Sequence, residues 1–313
     1  MPRPVEIVVQ DDTVASWLEA EWPFGRSGPP VPTEGSVLRI TIRTDDARPL
    51  KELPTADALP GASGTMHLRI DGQEFWVWEA PHAHTAPSEA CAVRAFVDGP
   101  DVTIIAYGSP FNSWAALANA FHEAVALSGL VPFHAAAVHR PASPGQPEQT
   151  WMILGPSGRG KTTTLLRAVR AGWLAVAEDV CWLSPGTLEV VGSDTTVGVR
   201  SPSLGVLHDV LPATSELVPS AHADAKVLVP WDKLGAIRDP VTVTHVVELR
   251  HGSEAEVGFA DSTALRTVMA LYEAGGIPRT DQARTALAFA IGRLTEGTRS
   301  ATLRLGRIDL PFP

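Results

Sequence analysis

The tightest constraint on how this chain folds is a short run in which three glycines join an apolar, strand-like segment to a helix-compatible one. Trp151-Met-Ile-Leu154 leads directly into Gly155-Pro156-Ser157-Gly158-Arg159-Gly160-Lys161-Thr162, and the pattern continues through Thr163 as a helix from about Lys161 to Ala171, stopped by Gly172. The octapeptide fits G-x-x-x-x-G-K-[ST] in full. Glycine reaches backbone dihedrals closed to residues with a Cβ, so such a loop can turn successive N–H groups inward around an anion. The helix behind it aims its positive dipole end at the same point. Strand, glycine loop and helix in this order belong to an α/β arrangement.

The chemistry expected of these residues follows from the motif. Lys161 is placed to reach the β- and γ-phosphates of a nucleotide, the loop from Gly155 to Gly160 with Thr163 to surround them, and the Thr162 hydroxyl to coordinate Mg²⁺. ATP and Mg²⁺ are the cofactors this implies. Downstream, Leu174-Ala-Val-Ala-Glu178-Asp179 reads as an apolar strand ending in acids, with Asp179 18 residues past Lys161. One helix and one strand therefore separate phosphate cradle from carboxylates. Acids at a strand end beside such a loop can hold Mg²⁺ or accept a proton from an attacking hydroxyl, and the competing reading is a solvated turn.

Composition narrows the class. The 313 residues include 35 acids and 25 bases, a net charge of −10, and only four of the bases are lysines: Lys51, Lys161, Lys226 and Lys233. A pI near 5.4 argues against nucleic-acid binding through a broad basic surface. Cys91 and Cys181 are too few and too far apart for a disulfide framework. The N-terminus lacks a signal-peptide pattern, and the best apolar run, Trp114 to Val131, contains His122 and Glu123. A cytoplasmic protein with no membrane partner is the expectation.

Charge also divides the chain. Residues 1–130 carry 17 acids against 8 bases, a net of −9, and residues 131–313 carry 18 against 17, a net of −1. We expect a β-rich region over 1–128 with one helix, serving substrate recognition, and an ATP-binding catalytic domain over 129–313. In the first, Val5–Val9, Val37–Ile42, Met66–Ile70, Phe75–Trp78 and Val102–Tyr107 read as strands, Pro23–Gly35 as a loop, and Ser113 to Leu127 as an amphipathic helix. In the second, Phe133–His139, Trp151–Leu154, Trp173–Ala177, Leu188–Val191, Val241–Leu249 and Ala301–Leu305 read as strands. Leu265–Ala274 and Thr280–Leu294 read as closing helices.

Three runs carry a family resemblance: His134-Ala-Ala-Ala-Val138, Ile153-Leu-Gly155-Pro-Ser-Gly-Arg-Gly-Lys-Thr162, and Ala171-Gly-Trp-Leu-Ala-Val-Ala-Glu178-Asp179-Val180. Together they resemble the catalytic domain of HPr kinase/phosphorylase, which is related to ATP-dependent phosphoenolpyruvate carboxykinase. The likeness is densest over residues 130–183 and absent from 1–110. It implies an α/β fold with a mixed β-sheet P-loop kinase domain. It also implies a site in which His134 takes the place of the family histidine, Lys161 and Thr162 serve phosphate and Mg²⁺, and Glu178 and Asp179 form the acidic pair. The family has two aspartates where this chain has Glu178 then Asp179, so which acid is base and which supports metal stays open. The chain looks most like the HPr-kinase-like proteins of lasso-peptide pathways, and the resemblance implies a serine of a peptide or protein as acceptor. The family assembles, so a homo-oligomer is among the expectations.

Secondary candidates are weaker. Arg200, in Thr196-Val-Gly-Val-Arg, is placed to offset charge on the transferred phosphoryl group, against an ordinary surface arginine. Lys226 opens a strand-like run and is a candidate nucleotide contact. Arg238, Arg250 and His139 lack distinguishing context, and His82-x-His84 fits a solvated loop better than a metal site. Trp76, Trp78, Trp173 and Trp182 are expected in the core. The leading expectation is an ATP- and Mg²⁺-dependent serine kinase. A small-molecule hydroxyl kinase on the same site and a non-catalytic ATP-binding regulator are the alternatives.

Overall fold

A computed structural model of the chain describes residues 5–10, 12, 14–15, 37–45, 59–60, 65–70, 74–79, 92–98, 101–107, 114–193, 196–200, 204, 218–219, 226–237, 239–251, 258–276, 278 and 281–305. The chain is mixed α/β, and it divides into two compact units. Residues 1–20, 24–130 and 277–286 form the first, and residues 21–23, 131–276 and 287–313 the second.

The first unit is a seven-stranded sheet with a helix. Its elements are β1 (Val5–Val9), β2 (Leu38–Asp45), β3 (Leu59–Pro60), β4 (Thr65–Ile70), β5 (Glu74–Glu79), β6 (Ala92–Asp98), β7 (Asp101–Tyr107) and α1 (Trp114–Ala126). The order is β1-β2-β7-β6-β5-β4-β3, with β1, β2 and β7 parallel and the rest an antiparallel meander. In β2 the side chains of Leu38, Ile40 and Ile42 are buried while Arg39 and Arg43 are exposed, the period-two pattern of a half-covered strand. Leu117, Ala120, Phe121, Ala124 and Val125 give α1 one buried face, and the helix packs on β5, β6 and β7. Strand β6 escapes the sequence pattern because Ala-Val-Arg-Ala-Phe-Val-Asp is only partly β-branched or aromatic. The loop assigned to Pro23–Gly35 and the cap assigned to Ser113 lie outside the described residues.

The second unit holds β8 (Val131–His134), β9 (Ala136–Arg140), β10 (Gln149–Leu154), α2 (Lys161–Arg170), β11 (Leu174–Ala177), β12 (Val180–Ser184) and β13 (Glu189–Gly192). It continues with β14 (Thr196–Arg200), β15 (Val218–Pro219), β16 (Lys226–Pro230), β17 (Val241–Thr242), β18 (His245–His251), β19 (Gly258–Asp261), α3 (Ala264–Gly275) and β20 (Arg299–Leu305). Between the two last elements runs α4 (Asp281–Gly297), whose residues from Leu287 on belong to this unit. A mixed six-stranded sheet has the order β11-β9-β10-β18-β20-β19. Beside it are an antiparallel four-stranded sheet, β17-β13-β12-β8, and a three-stranded one, β14-β16-β15.

Two strand pairs change sheet at the same corner. The run Phe133–His139, one strand by its apolar pattern, is two: β8 pairs with β12, β9 pairs with β10 and β11, and Ala135 lies between. Likewise β11 belongs to the six-stranded sheet and β12 to the four-stranded one, with Glu178 and Asp179 between. The Ala135 N–H donates to the Asp179 carbonyl at 3.1 Å, and the Cys181 thiol donates to the Ala135 carbonyl at 3.3 Å, tying the two bends together. Close by, β13 crosses β11 at Gly192, where a Cβ would lie 2.0 Å from the Val176 carbonyl oxygen. Only a bare Cα allows that approach.

Helix α2 covers the six-stranded sheet through Leu165, Leu166 and Ala168, which join Val138, Ile153, Trp173 and Val247 in one buried cluster. Fully burying each leucine stabilises the fold by about 1.5–3 kcal/mol. Val197, Val199 and Val229 of the three-stranded sheet belong to the same cluster. The helix ends as its sequence demands: Gly172 takes a φ of 89°, its N–H donates to the Val169 carbonyl at 2.9 Å, and the Trp173 N–H donates to the Ala168 carbonyl at 3.0 Å, a Schellman motif. Among the described residues no helix is long and apolar enough to cross a membrane.

Candidate functional site

Strand directions alone bring the key segments together. Both β10 and β11 run antiparallel to the β9 between them, so they are parallel to each other and their C-terminal ends leave the sheet at one edge. The glycine loop emerges from β10 there, and Glu178-Asp179 from β11. The start of β9 lies at that edge too, which brings His134 and Ala135 alongside. Crevices at the carboxyl ends of strands are where α/β sheets bind ligands.

The loop uses its three glycines as backbone devices. Gly155, Gly158 and Gly160 have φ values of 157°, 77° and 94°, a region that favours glycine. A Cβ on Gly158 would meet no atom within 4 Å, so conformation rather than space demands glycine there. Gly160 is the N-cap of α2 and supplies no side-chain cap, which leaves the opening N–H groups of the helix to a ligand.

Lys161 opens α2 and is 6% exposed. Its Nζ donates to the Gly155 carbonyl at 2.8 Å and meets His134 Nε2 at 2.8 Å. An ammonium has no lone pair, so His134 Nε2 must accept, and the ring proton resides on Nδ1. That Nδ1 lies 3.2 Å from Asp179 Oδ1, giving a chain Asp179–His134–Lys161 with a defined proton order. Burial pushes the Lys161 ammonium below its ordinary value, opposed by the negative charges of Asp179, Glu178 and Glu273.

The two acids have different surroundings. Glu178 is buried, and the Thr162 hydroxyl donates to its Oε1 at 2.5 Å. The Asp179 side chain is 57% exposed and is oriented by His134. A hydroxyl and a carboxylate oxygen side by side are hard donors that suit Mg²⁺ shared with phosphate. Among the described residues no group of three or more His, Cys, Asp or Glu side chains is placed to hold a metal ion.

Other sequence candidates fall elsewhere. Pro156, Ser157 and Arg159 are exposed on the loop, and Thr163 is half-buried in the first turn of α2. Arg200 ends β14 next to Val199, whose side chain points into the core, so strand alternation sets the exposed Arg200 on the other face. The register of β14 with β16 sets Arg200 directly opposite Lys226, so the two are brought to one another in the three-stranded sheet. Arg250 pairs with Glu248 at 2.7 Å, and His139 is a buried strand residue bonded to the Thr150 hydroxyl at 3.0 Å. Trp173 and Trp182 are buried, as their type leads one to expect. Arg238, Lys51, Cys91, His82 and His84 lie outside the described residues, as do the side chains of Lys226, Trp76 and Trp78. Glu273, on α3, is a charge on Lys161 that no motif marks, because only packing of α3 against β8 and β10 brings it near. No family model matches the chain and no curated protein sequence matches it.

Proposed function

We propose that the chain is an ATP- and Mg²⁺-dependent phosphotransferase of the HPr-kinase-like type, acting on a hydroxyl, with a serine of a peptide or protein as acceptor. The observation that carries this reading is the meeting, at one sheet edge, of a three-glycine loop, a buried lysine and two carboxylates in different environments. The serine acceptor rests on the sequence resemblance.

The surroundings divide the labour between the acids. Glu178, buried against the Thr162 hydroxyl, belongs with the residues that would hold Mg²⁺. The ion, when bound, offsets negative charge on the phosphates. Asp179 is open to solvent and held by His134, so it can reach an incoming hydroxyl and take its proton. The acceptor oxygen then bonds to the γ-phosphorus as the bond from that phosphorus to the β,γ-bridging oxygen breaks. ADP leaves, and the acceptor carries the phosphoryl group. Lys161, drawn from the Gly155 carbonyl and His134 towards phosphate oxygens, stabilises charge on the leaving group.

The test is phosphate transfer from ATP to seryl peptides, read as a mass gain. Asp179→Asn should lower the transfer rate by about 10²–10⁴-fold and leave ATP affinity nearly intact. Glu178→Gln should raise the Mg²⁺ concentration needed for half-maximal binding of ATP. Transfer at the wild-type rate by Asp179→Asn would remove Asp179 from the role of base. ATP binding with no acceptor found would favour a regulator.

A further inference from the structure

A cavity lies on the six-stranded sheet at the end remote from the glycine loop. Trp151, four residues before Gly155, is about 13 Å from the loop along β10. The cavity has a volume of about 350 Å³, and its walls include Arg140, Trp151, Trp173, His245 and Phe259. That is the lower end of the size of small-molecule sites, and a mostly apolar wall with a few polar groups is their usual make-up.

The aromatic side of the cavity is a packed cluster of rings centred on Trp151. Trp151 lies 4.7 Å from Trp173 and 5.0 Å from Phe259, centroid to centroid, the latter edge-on. The His245 ring stands 5.8 Å from that of Trp151. Trp151 and Trp173 are buried, whereas Phe259 is 39% exposed at the rim of the cavity. The exposed Phe259 ring offers a surface on which another ring can stack.

The polar side of the cavity carries positive charge. The Arg140 guanidinium sits 5.0 Å above the Trp173 ring. Its Nε is buried and has no hydrogen-bond partner among the described residues. A buried guanidinium N–H is strongly disfavoured without an acceptor. The charges that act on His245 are those of Arg299 and Arg140, both positive. Arg140 therefore brings to the cavity wall a guanidinium with donor capacity that suits a carboxylate.

We propose that this cavity binds an aromatic carboxylate, its ring packed against Phe259 beside Trp151 and its carboxylate on Arg140. The inference is independent of phosphoryl transfer, since none of these residues belongs to the site at the glycine loop. Two sources share this chemistry, a free aromatic acid and the C-terminal residue of a peptide.

Calorimetric titration of the full chain with indole-3-acetate tests it, with indole and acetate as the half-ligands. Indole-3-acetate should bind saturably, with indole and acetate each weaker by about tenfold or more. Arg140→Gln should weaken indole-3-acetate by a similar factor and leave indole unchanged. Phe259→Ala, at an exposed position that puts folding at little risk, should weaken both ring-bearing probes. N-acetyltryptophan and a hexapeptide ending in tryptophan identify the source: equal binding marks a peptide terminus, and binding of the small acid alone marks a metabolite. Equal affinity for indole and indole-3-acetate, no saturable binding by any probe, or unaltered affinity in both variants would overturn the proposal.

Discussion

Burial and the proposed function make opposite demands on Lys161. The side chain is almost wholly inside the protein, and loss of solvent lowers its affinity for a proton. Its folded pKa lies below the ordinary 10.5, so between those two values the unfolded chain holds more protons and stability rises with pH. At neutral pH the charged lysine therefore costs the fold some stability, a cost that the proposed phosphate chemistry would account for. Lys161→Met, apolar and of similar length, should melt no lower than the parent protein in a thermal scan. The same variant should lose ATP affinity on the order of a hundredfold, measured by titration. A variant that melts well below the parent would show the lysine to be chiefly a structural link between Gly155 and His134. At this scale the motif made the placement of Lys161 and Thr162 at the start of a helix legible, because that placement depends on neighbours a few residues away. The different surroundings of Glu178 and Asp179 were not legible. They depend on which acid faces Thr162 and which faces His134, and those partners lie 16 and 45 residues distant in sequence.

Elements meet through glycine in two physically different ways, and the difference can be measured. At Gly192 a Cβ would strike the Val176 carbonyl oxygen at 2.0 Å and the Ala177 Cα at 2.9 Å. Both are backbone atoms of β11, so β13 would have to move as a strand. Gly192→Ala should cost about 3 kcal/mol or more, a fall in Tm of roughly 6 °C or more. At Gly158 the surrounding space is open and only the φ of 77° is at stake. Gly158→Ala should cost about 1–2 kcal/mol and act mainly by weakening nucleotide binding. Equal stability losses in the two variants, compared by denaturant unfolding, would contradict this contrast. The helix α2 was readable from Lys161 to Gly172 because caps and periodicity are local. The break at Ala135 was not, since apolar residues continue on both sides and only the change of partner strand, from β12 to β10 and β11, divides the run. For the same reason β12, lodged between β8 and β13, carries no signal beyond its apolar content.

Across the whole molecule, charge and strand order act on different levels. The net charges of −9 and −1 are visible in the sequence as two regions, whereas the sheet orders depend on pairings between distant strands and have no local signature. One consequence of strand order is a chain of polar groups through the centre of the six-stranded sheet. His139 on β9 bonds the Thr150 hydroxyl on β10, the Thr150 N–H donates to the Thr244 hydroxyl at 2.9 Å, and that hydroxyl meets His245 Nδ1 on β18 at 2.8 Å. Burial lowers the pKa of both histidines from the ordinary 6.5. Glu148 opposes the shift at His139, while Arg299 and Arg140 reinforce it at His245. As pH falls through 6.5 the unfolded chain takes up these protons first, so stability is full above that value, declines below it, and levels off under the folded pKa values. Carboxylates add their own acid dependence lower in the range, so the histidine part must be isolated by difference. Denaturant unfolding of the parent and of a His139→Gln, His245→Gln protein at pH 7.5 and 5.5 does this. The parent should lose more stability over the interval than the double variant. Parallel losses would mean that the two rings accept protons in the folded sheet as readily as in the unfolded chain.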